Sequence, residues 1–120
     1  MSGICALIAG SLVTLSTGPM TLAWDHSVQH LRWEEDWQAE AGRLVLVEAR
    51  VRGTGAGMEV PPEARFADGT WHYQPALQPL AELRLADSPF GGRYEICHEG
   101  ACASLPAAPD GAVLRACAEP

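Results

Sequence analysis

Lysine and asparagine are absent from this chain, and all eight of its cations are arginines. A phosphate-tracking surface needs clustered cations, yet only Arg50 and Arg52 stand close together in a chain of formal charge −7, which argues against nucleic-acid binding. Long apolar runs are missing too. The stretch Ile4–Val13 is broken by Gly10 and Ser11 and falls short of the roughly 18 residues that a membrane span requires. Internal repeats and low-complexity tracts are also absent. What remains is 120 residues, 48% apolar and 19% charged, the composition of one globular domain spanning residues 1–120.

Glycine and proline punctuate the chain frequently, and short runs of period two lie between them. Thr21–Ser27 places Leu22, Trp24 and His26 on one face. Leu44–Val51 is nearly continuous apolar sequence, fit for a central strand covered on both faces. Trp71 with Tyr73, Leu83 with Leu85, Tyr94 with Ile96, and Val113–Cys117 add four more strands. The expected fold is all-β, an antiparallel sandwich or partly open barrel of about seven to nine strands. At the N-terminus, Ile4–Val13 has the look of a signal h-region, but no Lys or Arg precedes it and no small-residue cleavage site follows. A first buried strand over Ile4–Ile8 is the preferred reading.

Gln29–Ala41 supports two readings. Its Leu, Glu, Gln, Ala and Arg content, with Trp33 and Trp37 four apart and Gly42 as a cap, suits a helix. As a strand it sets Trp33, Glu35, Trp37 and Ala39 on one face and Glu34, Asp36, Gln38 and Glu40 on the other. The strand segregates every other acid to water more cleanly, and it is preferred.

Three of the four tryptophans and two of the four histidines fall between Trp24 and Trp37, around three consecutive acids. In the strand reading His26 and Glu35 both point inward near the neck of a hairpin. A carboxylate beside an imidazole raises the imidazole pKa and fixes its tautomer, which suits ligand binding or acid–base work. A buried His–Glu bond that merely locks the hairpin is the structural alternative. Ser27 follows His26 on the opposite face, so His26 is badly placed to activate it, and its hydroxyl suits a turn. Trp24 and Trp37 offer ring faces to a ligand or else simply fill the core. Gly53-Thr54-Gly55-Ala56-Gly57 lacks the Gly-Lys-Ser/Thr ending of a phosphate loop. It reads as a tight bend whose backbone, at Gly55 and Gly57, could approach a small anion. No catalytic residue, metal site or cofactor is assigned.

Cys5, Cys97, Cys102 and Cys117 permit three fully paired connectivities. Cys97 and Cys102 flank His-Glu-Gly-Ala, a turn-like loop that sets them across a hairpin, within bridging distance. The same types, with His98, could bind zinc, but the paired short knuckles of a structural site are missing. A Cys97–Cys102 disulfide is expected, and with it an oxidising compartment.

The pattern Thr-Leu-Ala-Trp-Asp-His-Ser-Val, then Trp-Glu-Glu-Asp-Trp, then Gly55-Ala56-Gly57-Met58 resembles a bacterial family known as domain of unknown function 1850. The similarity runs over most of the chain, from the first strand to the Cys97–Cys102 hairpin. Its hallmark, a His-Ser followed by a Glu ahead of an aromatic residue, maps onto His26, Ser27, Glu35 and Trp37. Many members are encoded beside tripartite (TRAP-type) solute transporters of the TAXI class, and some carry an N-terminal export anchor. This chain departs from those in lacking a clear anchor, and in placing Glu59-Val60 ahead of Pro61 where relatives often have Pro directly. The resemblance implies an accessory protein of such a transport system. It would bind a small molecule, a TRAP transporter subunit or a solute-binding protein, in a periplasmic or extracytoplasmic setting. A small hydrolase or isomerase using His26 and Glu35, and a purely structural interaction module, are the alternatives.

Overall fold

In the computed structural model the chain is an all-β sandwich of antiparallel strands, described over residues 2–25, 32–52, 62–85, 94–105 and 111–118. In chain order the strands are β1 (Ser2–Ile8), β2 (Ser11–Ser16), β3 (Met20–Asp25), β4 (Arg32–Glu40), β5 (Arg43–Arg52), β6 (Arg65–Ala67), β7 (Thr70–Tyr73), β8 (Leu83–Leu85), β9 (Glu95–His98), β10 (Ala101–Ser104) and β11 (Ala112–Ala118). A four-stranded sheet in the order β2-β1-β11-β8 packs on a seven-stranded sheet in the order β10-β9-β3-β4-β5-β7-β6. Neither sheet closes into a barrel. Among the described residues there are eleven strands, more than the seven to nine expected from sequence, because the apolar N-terminal stretch holds two strands joined at Ala9-Gly10 and β6 is only three residues long.

Hairpin chemistry is local. Ala9-Gly10, Ala41-Gly42, Asp68-Gly69 and Glu99-Gly100 each place two consecutive residues at positive φ, between β1–β2, β4–β5, β6–β7 and β9–β10. That is the conformation of the two-residue turns that match strand twist, and the second position is glycine every time. Gly42, suited to a helix cap from sequence, therefore serves a hairpin.

Alternation decides the rest. Ile4, Ala6 and Ile8 of β1, Ala112 and Leu114 of β11, and Leu85 of β8 form one wall of the core. Met20, Leu22, Trp37, Leu44, Leu46 and Ile96 form the other. Each buried Leu or Ile contributes about 1.5–3 kcal/mol by leaving water. Gln29–Ala41 is not helical where described: Arg32–Glu40 is strand, with Trp37 buried and Glu40 exposed. Leu44–Val51 is central but not covered on both faces. A bulge opposite Asp36/Trp37 makes Val47 the extra residue, so that Leu44 and Leu46 before it, and Ala49 and Val51 after it, all reach the core. Two in-phase apolar sets separated by one additional residue read as a continuous run in sequence.

Candidate functional site

The register of the larger sheet assembles one row of side chains from distant parts of the chain. Trp24 pairs with Trp33, Trp33 with Val51, and Val51 with Trp71. One step along, Ile96 pairs with Leu22, Leu22 with Glu35, Glu35 with Ala49, and Ala49 with Tyr73. Leu22, Ala49, Val51 and Ile96 are buried, so both rows belong to the inner face. Trp24 stacks on Trp33 with centroids 6.3 Å apart, and Tyr94 tilts against Trp24 at 5.7 Å. Glu35 is thus a half-buried acid on the inner face, among aromatic side chains that are themselves half-buried.

Its hydrogen bond among the described residues comes from the Trp37 indole, whose Nε1 donates to Glu35 Oε1 at 3.1 Å. Burial raises the Glu35 carboxyl above the usual carboxylate range, and the indole N–H offsets this only partly. The phenols of Tyr73 and Tyr94 are both pushed up, by burial first and then by the Glu35 charge, so the carboxylate is felt by both rings. No arginine acts on Glu35 among the described residues.

The opposite face is built differently. Arg50 bonds Asp36 through both terminal nitrogens, at 2.6 and 2.8 Å, and reaches Glu34 and Glu48 at 3.2 Å each. Thr21 donates to Asp36 at 2.7 Å, His72 Nδ1 meets Glu48 at 2.9 Å, and Arg32 links Glu34 to Glu95. Burial alone would raise Asp36 and Glu34, but their arginine partners outweigh it and hold both carboxyls below the ordinary range. Here the acids hold charged or hydrogen-bonding partners already, and the network fastens β3, β4, β5, β7 and β9 together.

Among the residues singled out from sequence, Glu35, Trp24 and Trp37 meet on the inner face as the strand reading requires. His26, Ser27, Gly55 and Gly57 lie outside the described residues. Cys97 and Cys102 sit directly opposite each other on β9 and β10, bridged, with Cα atoms 4.0 Å apart. Cys5 and Cys117 form the second disulfide, across β1 and β11. Tyr73 and Tyr94 were visible only as strand residues; nothing in the sequence joined them to Glu35, because that proximity depends on the strand order. Two described cavities, of about 480 and 330 Å³, lie elsewhere: one beside Thr21, Asp36 and His98, the other between β2 and β10. Glu35 lines neither of them. Among the described residues no group of three His, Cys, Asp or Glu side chains is arranged to hold a metal, and no helix is long and apolar enough to cross a membrane.

The family described as Domain of unknown function (DUF1850) matches residues 20–105. The chain belongs to this family. The DUF1850 match begins at the first residue of β3 and ends just past β10, so it takes in every strand of the larger sheet together with β8. Glu35 and the aromatic residues around it all fall within the DUF1850 segment. No curated protein and no solved structure matches the chain.

Proposed function

We propose that this chain is a binding protein, an accessory component of a TRAP/TAXI-type solute transport system that takes a small molecule or a transporter component at the Glu35 end of its inner face. The transport association rests on the family resemblance. The binding assignment rests on one observation: Glu35 is held among Trp24, Trp33, Trp37, Tyr73 and Tyr94, where burial works against its charge. An ionisable group kept in a place that disfavours ionisation, beside rings that could contact a ligand, is a candidate site with a stated physical rationale. The rings supply apolar contact area and the carboxylate supplies direction, the usual division of labour in a small-molecule site.

Native mass spectrometry of the protein purified from its own host tests this. A bound mass retained by the wild type and lost in Glu35→Gln, with the fold intact, is the expected result. A wild type free of ligand, with Glu35→Gln silent in a solute-uptake assay and Glu35→Leu merely altering stability, would sink it. The raised Glu35 carboxyl also favours a second reading, a small hydrolase or isomerase with His26 and Glu35 as acid and base. That reading requires turnover whose rate falls as the Glu35 carboxyl ionises, or rises with it, and which Glu35→Gln abolishes.

A further inference from the structure

The two sheets are unequal, and on one side of the sandwich the smaller sheet ends too early. Its last strand there is β2, and the larger sheet ends at β10; among the described residues neither has a partner on its outer edge. Val13 pairs with the wholly buried Ala6 and so belongs to the inner face, yet it is 41% exposed. Ala103 pairs with the buried Ile96, and Ala101 with His98, yet both alanines are exposed as well. Inner-face residues of both edges therefore face open space where a further strand of the smaller sheet would lie. A trough of about 330 Å³ lies between the two edges, lined by Thr14 and Leu15 of β2 and, opposite them, by Ile96, Ala101, Ala103 and Leu105, while Val13 stands outside its lining.

Three features say what fits there. First, the lining contains no Asp, Glu or Arg, and His98 is its one titratable side chain, in a chain of formal charge −7. Second, residues 1–24 contain no charged side chain, so β2 lacks the charges and prolines that blunt a sheet edge. The edges on the far side of the sandwich are blunted: β6 and β8 have three residues each and carry Arg65 and Arg84, whereas β10 is as free of charge as β2. Third, Ala101 and Ala103 present small side chains to the trough, leaving room for larger ones from an incoming strand.

We propose that β2 and the facing surface of β9–β10 form an acceptor site for an extended, uncharged segment of a partner protein. The segment joins the smaller sheet as a fifth strand. Its main chain pairs with the free edge of β2, and its alternate aliphatic side chains rest on Ala101, Ala103, Ile96 and Leu105. The site is separate from Glu35 and does not depend on what binds there.

The probe is an acetylated and amidated octapeptide of alternating Val and Thr, compared with the same peptide N-methylated at every second residue. Binding to the disulfide-intact protein is followed by backbone amide NMR and amide exchange. The expected result is that the unmethylated peptide slows exchange along β2 and shifts Ala101–Leu105, while the methylated peptide binds at least tenfold more weakly. Ala103→Arg, at an exposed position, should weaken binding at least tenfold, and Leu7→Ser on the outer face of β1 should leave it unchanged. Equal binding of the methylated peptide would mean an apolar pocket for small molecules and would overturn the proposal. So would protection mapping to β6 or β8, no binding at millimolar peptide, or sedimentation showing that a second copy of this chain already covers β2.

Discussion

Glu35 and Asp36 are adjacent in sequence and opposite in behaviour, because a strand sends neighbours to different faces. Glu35 sits half-buried among the inner-face rings and its carboxyl is raised; Asp36 meets Arg50 and its carboxyl is lowered. The two therefore oppose each other in the pH dependence of stability. A raised carboxyl favours the fold while protonated, and that contribution is lost as pH rises through its folded pKa. Glu35→Gln, which keeps an acceptor for the Trp37 indole, should therefore be more stable than the wild type at pH 7. The gain should fade as the wild-type carboxyl protonates on acidification, which urea denaturation across the acid range will measure. A less stable Gln variant at pH 7 would show that the Glu35 charge is compensated by a cation. For Asp36, Glu34 and Glu48 the sign reverses: their contribution is present above the unfolded carboxylate range and is lost as pH falls through their depressed pKa values. Arg50→Ala removes the cation they share. Because the network is partly exposed, the cost should be about 1–2 kcal/mol, smaller in high salt, with a flatter acid limb of the stability curve.

Among the elements, β1 is the most constrained. It lies between β2 and β11, contributes Ile4, Ala6 and Ile8 to the core, and carries Cys5 toward Cys117. Gly3 is there for space: a Cβ would come within 2.5 Å of the Ser16 carbonyl oxygen, where β2 departs from regular register. Gly3→Ala should cost about 1–3 kcal/mol, read from urea midpoints, because backbone rather than a flexible side chain would have to move. The two disulfides should differ in the same assay. Cys5–Cys117 links residues 112 apart, whereas Cys97–Cys102 links residues five apart. On the chain-entropy account the first stabilises by about 5 kcal/mol and the second by about 2. The paired Cys5/Cys117→Ser variant should therefore be the more damaged one; equal losses would mean that the loop-closure account fails here.

At the scale of the whole molecule, the first strand pairs with the last: Ser2 lies opposite Ala118 and Ile8 opposite Ala112. The smaller sheet forms only when β1, β8 and β11 come together from distant positions. Non-local pairing of this kind slows folding, so refolding with disulfides reduced should take milliseconds to seconds by stopped-flow tryptophan fluorescence. Removing residues 112–120 should abolish the cooperative transition, since it deletes the buried Leu114 and the partner of both β1 and β8. A shortened chain that still unfolded cooperatively would mean that the larger sheet is stable by itself.

The sequence by itself determined what is local. Alternation of apolar and polar residues placed Trp24 with Leu22 on one face of its strand and Glu35 with Trp37 on one face of the next, and the four-residue spacing around Glu99-Gly100 brought Cys97 to Cys102. It left open what depends on several strands at once. The bulge at Val47 shifts the phase of β5 and disguises a half-covered strand as a fully buried one. Tyr73 and Tyr94 come under the charge of Glu35 only because β7 and β9 lie on either side of the β3–β4–β5 core of the sheet. The Cys5–Cys117 bridge and the trough between β2 and β10 likewise follow from strand order. Side-chain period is a property of a few neighbouring residues and is written in them directly. Strand order is chosen by the free energy of the whole packed core, and no short stretch of sequence contains it.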